Sequence, residues 1–476
     1  MAGLLVAGTT SDAGKSVVTT GLCRALARRG IRVAPYKAQN MSNNSMVCLD
    51  DAGGGVEIGR AQWTQALAAG AVPEPAMNPV LLKPGSDRRS HVVLMGRPAG
   101  EVSSTDWEEG RRHLARAAHA AYDDLASRYD VIVAEGAGSP AEINLRAGDY
   151  VNMGLARHAG LATVVVGDID RGGVFAAMLG TLALLDAGDQ ALLAGWVINK
   201  FRGDLGLLRP GLVELARLTG RPVHGVLPWH PELWLDSEDA LDLGGRRSER
   251  DGARRVAVVR LPRISNFTDV DALGLEPDLD VVFVSDPQRL AEADLVVLPG
   301  TRATLADLAW LRERGLADAV VAHARAGRPV LGICGGCQML GGTIRDPEGV
   351  EGTAGAEAAG LGLLELTTVF TPVKTLRLHE PAGYEIHHGR VSGERRSGSV
   401  TGTMIHGSLE DDQSRAAYLS EALDMASKAS FPAARERRLD LLGDLVEEHL
   451  AVDALLDLAV AGAPAGLPSL PPGSSR

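Results

Sequence analysis

Two cysteines, Cys334 and Cys337, lie three residues apart in the segment PVLGICGGCQMLGG, residues 329–342. The apolar run before Cys334 predicts a strand, and the glycines after it predict a tight turn into a helix. At such a corner the helix N-terminus favours a thiolate, and free backbone N–H groups can receive an oxyanion. His406, in the segment GTMIHGSLE, is the candidate base. We therefore predict that Cys334 is a catalytic nucleophile and that His406 moves its proton.

A redox pair and half of a zinc site are the two alternatives for these cysteines. A thioredoxin-type CxxC motif normally carries no flanking run of glycines. A zinc site needs a second pair of ligands, and the remaining cysteines, Cys23 and Cys48, are unpaired in the other half of the chain. The pattern therefore favours a single nucleophile, with Cys337 as a small helix residue that has no assigned role.

A second candidate site opens the chain in the segment GLLVAGTTSDAGKS, residues 3–16. A strand, a glycine-bounded loop and a helix start of this kind turn backbone N–H groups around phosphate oxygens. Lys15 would reach the terminal phosphates of ATP, and the hydroxyl of Ser16 would bind Mg²⁺. The alternative is that the Gly-Lys-Ser sequence caps a helix by chance and binds no phosphate. The strand that precedes the loop disfavours this alternative. The predicted ATP-binding residues of the loop are Gly8, Thr9, Asp12, Gly14, Lys15 and Ser16.

Magnesium would also need a carboxylate ligand. Glu135 ends the apolar segment DVIVAEGAG, at the carboxyl edge of the predicted sheet, where ligands bind in such folds. Asp51 or its neighbour Asp50 is a further candidate, although the glycines that follow are equally typical of a plain turn. Asp168 and Asp170 end another strand and could simply cap the next segment. The predicted metal ligands are Ser16, Glu135 and Asp51.

The elements that must position these residues alternate between strand and helix. In the first half, apolar runs that read as buried strands occupy residues 3–8, 32–37, 130–138, 162–170 and 193–200. In the second half, the corresponding runs occupy residues 256–262, 280–285, 293–300 and 329–334. Continuous apolar strands that alternate with amphipathic helices predict parallel sheets covered on both faces. We therefore expect an α/β protein with two doubly wound parallel-sheet domains.

A change in composition separates the two domains. Residues 236–252 are charged, contain glycine and are poor in large apolar residues, as in a linker. The predicted organisation is a nucleotide-binding domain over 1–235, a linker over 236–252, a second domain over 253–415, a helical segment over 416–461 and a disordered tail over 462–476.

The amino-acid composition and net charge of the chain limit the classes of binding partner that we expect. The net charge is −12, which argues against a general nucleic-acid surface. No apolar run approaches the ~18 residues that a membrane-spanning helix needs, and the N-terminus lacks the pattern of a signal peptide. Four cysteines in 476 residues are typical of a reducing compartment. We therefore expect a cytoplasmic protein without nucleic-acid or membrane partners.

Both sites resemble known families. The segments LVVLPGT, GICGGCQMLG and MIHG resemble class I glutamine amidotransferases, and the phosphate loop, with five residues between its glycines, resembles dethiobiotin synthetase-like ATPases. The resemblance implies that Cys334 attacks the side-chain amide of glutamine and that the N–H groups of Gly300 and Gly335 hold the oxyanion. It also implies that Asn199 reads adenine. The family's glutamate two residues after the histidine is replaced by Ser408, so the orienting carboxylate is either absent or supplied by Glu410.

The two halves together resemble the cobyrinic and cobyric acid amidotransferases of cobalamin biosynthesis. The segments APYKAQNMSNNSMV, EGAGSPAEINLR, DIDRGGVFA and RLPRISNFTD are most similar to the cobyric acid branch of that family. This resemblance implies the ATP- and glutamine-dependent amidation of four peripheral carboxylates (b, d, e and g) of adenosylcobyrinic acid a,c-diamide. Polar side chains suited to this polyanionic corrinoid are Lys37, Gln39, Asn40, Asn43, Asn44, Lys83, Arg146, Arg171 and Arg202, although each arginine alone could be a solvated surface charge.

Two other functions remain open at this point. One is an a,c-diamide synthase, which performs the same chemistry at two other carboxylates. The other is a partitioning-type nucleotide switch whose second domain serves for docking. Such switches usually carry an extra lysine early in the phosphate loop, and GTTSDAGKS has none before Lys15.

Overall fold

The protein contains two α/β domains, each built on a six-stranded sheet. The computed structural model describes residues 2–86, 89–103, 107–231, 233 and 252–471. We call the first domain the synthetase domain and the second the amidotransferase domain, after the families that their sequences resemble. The prediction of two doubly wound sheets is confirmed. The predicted linker lies outside the described residues except for Gly252.

The synthetase domain has its phosphate loop between the first strand and the first helix. Its strands are β1 (Ala2–Gly8), β2 (Val33–Tyr36), β3 (Gln39–Met41), β4 (Ser45–Leu49), β5 (Gly55–Gly59), β6 (Val80–Ser86), β7 (Arg89–Leu94), β8 (Arg97–Ser103), β9 (Val131–Glu135), β10 (Ala162–Asp168), β11 (Leu193–Phe201) and β12 (Val223–Pro228). Its helices are α1 (Lys15–Arg28), α2 (Arg60–Ala68), α3 (Trp107–Arg128), α4 (Met153–Ala159), α5 (Val174–Leu184), α6 (Ala187–Gln190) and α7 (Leu205–Thr219).

The main sheet of this domain has the order β12-β11-β10-β1-β9-β2, and all its strand pairs are parallel. Every residue of β9 and β10 is buried, because helices cover both faces. The carboxyl ends of β1 and β9 are neighbours, since Val6 is in register with Glu135. This register brings the phosphate loop and Glu135 to the same edge of the sheet.

The amidotransferase domain repeats this arrangement with a smaller sheet beside it. Its strands are β13 (Arg254–Val259), β14 (Leu279–Val284), β15 (Leu295–Leu298), β16 (Val330–Ile333), β17 (Thr343–Asp346), β18 (Ala356–Ala359), β19 (Leu366–Leu378), β20 (Tyr384–Gly393), β21 (Arg396–Ser397) and β22 (Val400–Thr403). The helices are α8 (Asp271–Gly274), α9 (Pro287–Ala291), α10 (Thr304–Glu313), α11 (Leu316–Arg325), α12 (Gly335–Leu340), α13 (Asp412–Leu423), α14 (Phe431–His449) and α15 (Val452–Ala461). The main sheet has the order β14-β13-β15-β16-β22-β21, with only β21 antiparallel.

Two of the contacts between the domains are made by whole secondary-structure elements. The long β19–β20 hairpin packs against the β4–β5 hairpin of the synthetase domain. The C-terminal helix α14 returns to α1, where a Cβ on Gly21 would lie 2.8 Å from the carbonyl oxygen of Leu442. Glycine at this position therefore permits the close approach of the two helices.

Part of the segment that is predicted to be a disordered tail contacts the synthetase domain. The backbone N–H of Leu470 donates to the side chain of Gln190 at 2.7 Å, and Nε2 of Gln190 donates back to the carbonyl of Leu470 at 2.9 Å. Pro468 accepts a hydrogen bond from the buried guanidinium of Arg221. These buried polar partners in the synthetase domain order a segment whose composition alone is typical of disorder. Among the described residues, no helix is both long and apolar enough to cross a membrane.

Candidate active site

Cys334 occupies the sharp turn between β16 and α12. Its backbone has φ 51° and ψ −106°, a conformation that costs free energy in a residue with a side chain. The next residues must be glycine for the turn to pack, because a Cβ on Gly336 would lie 1.9 Å from the carbonyl oxygen of Leu298. The strain and the close packing together hold the sulfur at the start of the helix.

His406 adjoins Cys334 and forms a hydrogen bond with it. Nδ1 of His406 also lies 2.7 Å from Oδ2 of Asp269, and the N–H of Gly407 donates to Oδ1 of the same carboxylate at 2.8 Å. Burial opposes protonation of the imidazole, but the charges of Asp269 and Cys334 outweigh it and raise the pKa of His406 to about 10. The three side chains therefore have the arrangement of a nucleophile, a base and an orienting carboxylate.

Asp269 is a site residue that the sequence analysis missed. It lies in a short 3₁₀ helix, Phe267–Val270, within the segment RLPRISNFTD. That segment supported the family resemblance, but nothing in its spacing connects it to His406. The suggested alternative, Glu410, does not orient the histidine. It pairs with Arg60 at 2.7 Å and with Arg435, so that it joins the two domains.

The two glycines predicted for the oxyanion hole border the nucleophile. Gly335 is the first residue of α12, and a Cβ on it would lie 2.6 Å from Cγ2 of Thr301. A Cβ on Gly300 would lie 2.9 Å from Cε1 of His406. The structure therefore brings both backbone segments to the Cys334–His406 pair.

Cys337 is fully buried in the core of the amidotransferase domain. Burial raises the pKa of its thiol to about 12, which makes it a poor nucleophile. All four cysteines are free. This arrangement favours a single reactive cysteine over a redox pair.

A small cavity opens beside Cys334, and we call it the glutamine cavity after the ligand that the sequence resemblance implies. Glu351 lines it and accepts hydrogen bonds from Oγ1 of Thr304 at 3.0 Å and from the N–H of Leu305 at 3.2 Å. Burial raises the pKa of Glu351 to about 7. Lys83 also lines this cavity, although the sequence analysis placed it with the corrinoid. Its position in the middle of β6, where its side chain pairs with Glu57 beside Lys374 of the second domain, explains the difference.

A larger cavity, of about 980 Å³, lies at the carboxyl edge of the synthetase sheet, and we call it the acceptor cavity. Predicted site residues that line it are Asp12, Gly14, Lys15, Ser16, Lys37, Gln39, Asn40, Asn43, Asn44, Arg146 and Arg171. Those outside its lining are Gly8, Thr9, Asp51, Lys83, Glu135, Asn199 and Arg202. Its volume lies at the upper end of the range for small-molecule sites, so it has room for a large ligand.

The side chain of Asn199 supports the phosphate loop. Nδ2 of Asn199 donates to the carbonyl of Ala13 at 3.0 Å, and a Cβ on Gly14 would lie only 1.9 Å from that nitrogen. Gly14 also has φ 96°, which favours glycine. Asn199 therefore supports the loop, and its expected contact with adenine stays a prediction. Nζ of Lys15 donates to the carbonyl of Thr10 at 2.9 Å.

Two of the three predicted metal ligands are in contact. Oγ of Ser16 donates to Oε1 of Glu135 at 2.9 Å, and Nζ of Lys37 donates to the same oxygen at 2.9 Å. Despite the full burial of Glu135, Lys37 lowers the pKa of this carboxyl, which favours the carboxylate. A hydroxyl and a carboxylate at this spacing fit Mg²⁺, which prefers oxygen ligands. Asp51 is not brought to them, because it lies in the exposed turn between β4 and β5.

The three arginines that are predicted to contact the corrinoid differ in their exposure and in their partners. Arg146 lines the acceptor cavity but is paired with the buried Asp189. Arg171 is exposed and pairs with Asp12 at 3.2 Å. Arg202 instead stacks over Trp229, with its guanidinium carbon 4.1 Å from the ring centroid.

The acceptor and glutamine cavities adjoin at Asn43, which lines both. Ile264 lines the acceptor cavity, whereas Asn266, two residues on, lines the glutamine cavity. Oδ1 of Asn44 accepts from the N–H of Asn266 at 2.7 Å, and Oδ1 of Asn266 accepts from the N–H of Ser45 at 2.9 Å. This reciprocal pair joins the domains where the cavities meet.

Comparisons with known proteins agree with both halves of this description. The family of CobQ/CobB/MinD/ParA nucleotide binding domains matches residues 4–242, and the CobB/CobQ-like glutamine amidotransferase domain matches residues 255–417. Cobyric acid synthase of Mycolicibacterium vanbaalenii is 74% identical over 491 aligned residues, with 100% of both chains covered. The cobyric acid synthases of Mycolicibacterium gilvum and Mycobacterium tuberculosis are 73% and 71% identical, again with 100% of both chains covered. With its two cavities and its Cys-His-Asp arrangement, the chain is a glutamine-dependent amidotransferase and belongs to the cobyric acid synthase family.

Proposed function

We propose that the protein uses ATP and glutamine to amidate four peripheral carboxylates (b, d, e and g) of adenosylcobyrinic acid a,c-diamide. The product is adenosylcobyric acid, an intermediate of cobalamin biosynthesis. Relatives over 70% identical carry the name cobyric acid synthase, which supports this choice of substrate. The four free cysteines fit a reducing cytoplasm as the site of the reaction.

The amidotransferase domain would release ammonia from glutamine. The sulfur of Cys334 attacks the side-chain carbonyl carbon, and the N–H groups of Gly300 and Gly335 stabilise the oxyanion. His406 gives its proton to the leaving nitrogen, so that ammonia departs and a γ-glutamyl thioester remains. Water then hydrolyses the thioester with His406 as the base, and glutamate leaves. Asp269 keeps the imidazole in the required orientation throughout.

The synthetase domain would activate the acceptor. A carboxylate oxygen of the corrinoid attacks the γ-phosphorus of ATP, ADP leaves, and an acyl phosphate forms. Ammonia then attacks the acyl carbon and displaces phosphate, with loss of a proton. The hydroxyl of Ser16 and the carboxylate of Glu135 would hold Mg²⁺, which supplies charge neutralisation at the transferred phosphoryl group.

The charge of the acceptor cavity suits such a substrate. The chain has a net charge of −12, yet five cations line the cavity against three carboxylates (Asp12, Glu142 and Asp149): Lys15, Lys37, Arg146, Arg171 and Lys200. Cations favour a polyanionic ligand, and the amide side chains of Gln39 and Asn40 can bond both carboxylates and new carboxamides.

The observation that carries the proposal is that Asn43 lines both cavities. Asn43 therefore lies between the site where Cys334 would release ammonia and the cavity of the phosphate loop. Free ammonia is mostly protonated at neutral pH, and the ammonium ion is not nucleophilic. Direct transfer past Asn43 would deliver the neutral molecule to the acyl phosphate.

A mass-spectrometric count of product amides tests the proposal. The purified protein is supplied with the a,c-diamide, ATP, magnesium and glutamine, and we expect a product with four additional amides. Exclusive use of unamidated cobyrinic acid would instead assign the a,c-diamide synthase reaction. ATP hydrolysis without any amide product would favour a nucleotide switch.

A further inference from the structure

The glutamine cavity is lined by cations from both domains. Lys83 lies on β6 of the synthetase domain, whereas Arg302 and Lys374 belong to the amidotransferase domain. Nζ of Lys83 donates to Oε1 of Glu57 at 2.8 Å, and Lys374 pairs with the same carboxylate oxygen. Lys83 and Lys374 therefore meet at one carboxylate across the domain boundary.

These three cations outnumber the two carboxyl groups beside them, Glu57 and Glu351. Despite the full burial of Glu57, the charges of Lys374 and Lys83 lower its pKa to about 2, so it carries one negative charge. Within the described part of the chain, the guanidinium of Arg302 forms no hydrogen bond or ion pair, although its charge acts on Glu351 in the same cavity. Burial, together with the charges of Lys374 and Arg302, lowers the pKa of Lys83 to about 7 against the opposing effect of Glu57. This excess of positive charge in a buried space favours an anionic ligand.

Glutamine is a zwitterion, and the cavity offers partners for both of its charges. Glu351, between Thr304 and the N–H of Leu305, can receive the α-ammonium group. The α-carboxylate then needs a partner of its own while the side-chain amide reaches Cys334. Arg302 follows Thr301 directly, next to the predicted oxyanion glycine Gly300, so a cation is available close to the nucleophile.

We infer that Lys83, together with Arg302 and Lys374, binds the α-carboxylate of glutamine, so that the synthetase domain completes the glutamine site of the amidotransferase domain. The inference rests on the proposed function, since it requires glutamine as the ligand of this cavity. It extends that function by making Lys83 a specificity-determining residue supplied from the other domain.

Binding of two ligands to the full-length protein tests this assignment. In a Cys334→Ala background, which prevents turnover, calorimetry measures the affinity for L-glutamine and for L-glutamine α-amide, which lacks the α-carboxylate. We expect a preference for glutamine of about tenfold or more, the typical contribution of a charge-assisted hydrogen bond. Adding Lys83→Met should weaken glutamine binding and leave α-amide binding nearly unchanged, so that the preference is lost. Arg302→Met should act in the same direction.

The matched control is Lys428→Met, which removes an exposed lysine that pairs with Asp278 of the amidotransferase domain. It should leave the preference intact. If Lys83→Met does not fold, the double variant Glu57→Gln with Lys83→Gln removes the buried pair and should show the same loss. A preference unchanged in the Lys83 variants overturns the inference but leaves the proposed function standing. A Cys334→Ala protein that binds no glutamine would instead count against the proposed function.

Discussion

Asp269 and His406 are 137 residues apart in the chain, yet their side chains lie 2.7 Å from each other in the active site. The carboxylate also accepts the N–H of Gly407, so it fixes both the imidazole and the backbone that carries it. This contact replaces the glutamate that related amidotransferases place two residues after the histidine.

We expect Asp269→Asn to abolish most glutamine-dependent amidation. The asparagine amide would favour the wrong imidazole tautomer, and the corresponding change in a serine protease lowers kcat ~10⁴-fold. Activity with high ammonium should persist, because that reaction does not need the thiolate. Rates measured with each nitrogen source check this, and Glu410→Gln is the comparison, since Glu410 does not contact His406. Equal losses with both nitrogen sources would contradict the assignment.

Cys334→Ala should remove glutaminase activity while amidation from ammonium continues. Cys337→Ala is a matched control in the helix that follows Cys334, and its buried thiol should be replaceable with little effect on turnover. Glutamate release and amide formation are measured in parallel. Glutaminase activity that survives in the Cys334 variant would refute the role of this residue.

Lys15→Ala should eliminate amidation from either nitrogen source, because no acyl phosphate could form without the lysine at the phosphates. Circular dichroism confirms folding, and Lys428→Met, at an exposed surface pair, serves as the control. Full turnover with ammonium in the Lys15 variant would rule out the phosphate-loop role.

The Asp269–His406 pair should contribute a pH-dependent stabilisation. The pKa of His406 is raised from 6.5 to about 10 in the folded protein, although burial opposes this shift. A raised pKa means that the stabilisation is complete below about pH 6.5 and is lost as the pH rises through about 10. In denaturant unfolding, Asp269→Asn should therefore have a lower free energy of unfolding than the wild type near neutral pH. The difference between the two proteins should shrink towards pH 10. A difference that grows with pH would be incompatible with this pair.

We expect the side chain of Asn266 to contribute to the coupling between the glutamine cavity and the acceptor cavity. It has φ 50°, so Asn266→Gly keeps the backbone conformation while it removes the side-chain acceptor for the N–H of Ser45. We expect a loss of about 1–3 kcal/mol in unfolding free energy from the unsatisfied N–H. Glutamine-dependent turnover should fall more than ammonium-dependent turnover, since Asn266 begins the segment that carries Asp269. Equal reductions in both rates would indicate a purely structural role.

The sequence by itself predicted the two α/β domains, the phosphate loop and the turn that carries Cys334. Each of these rests on a contiguous pattern: apolar strands that alternate with helices, a glycine-bounded loop before Gly-Lys-Ser, and a glycine-flanked cysteine after a strand. Local spacing carries such information because one strand, turn or helix start holds all the residues concerned.

Only the tertiary structure decided which distant residues complete the sites. Asp269 reaches His406 because a short 3₁₀ helix brings its carboxylate to the end of the second sheet. Asn199 supports the phosphate loop, 186 residues away, through the parallel pairing of β10 with β11 beside β1. Lys83 joins the other domain's cavity because the two hairpins pack together. Composition and spacing cannot show these contacts, since packing between segments far apart in the chain determines them.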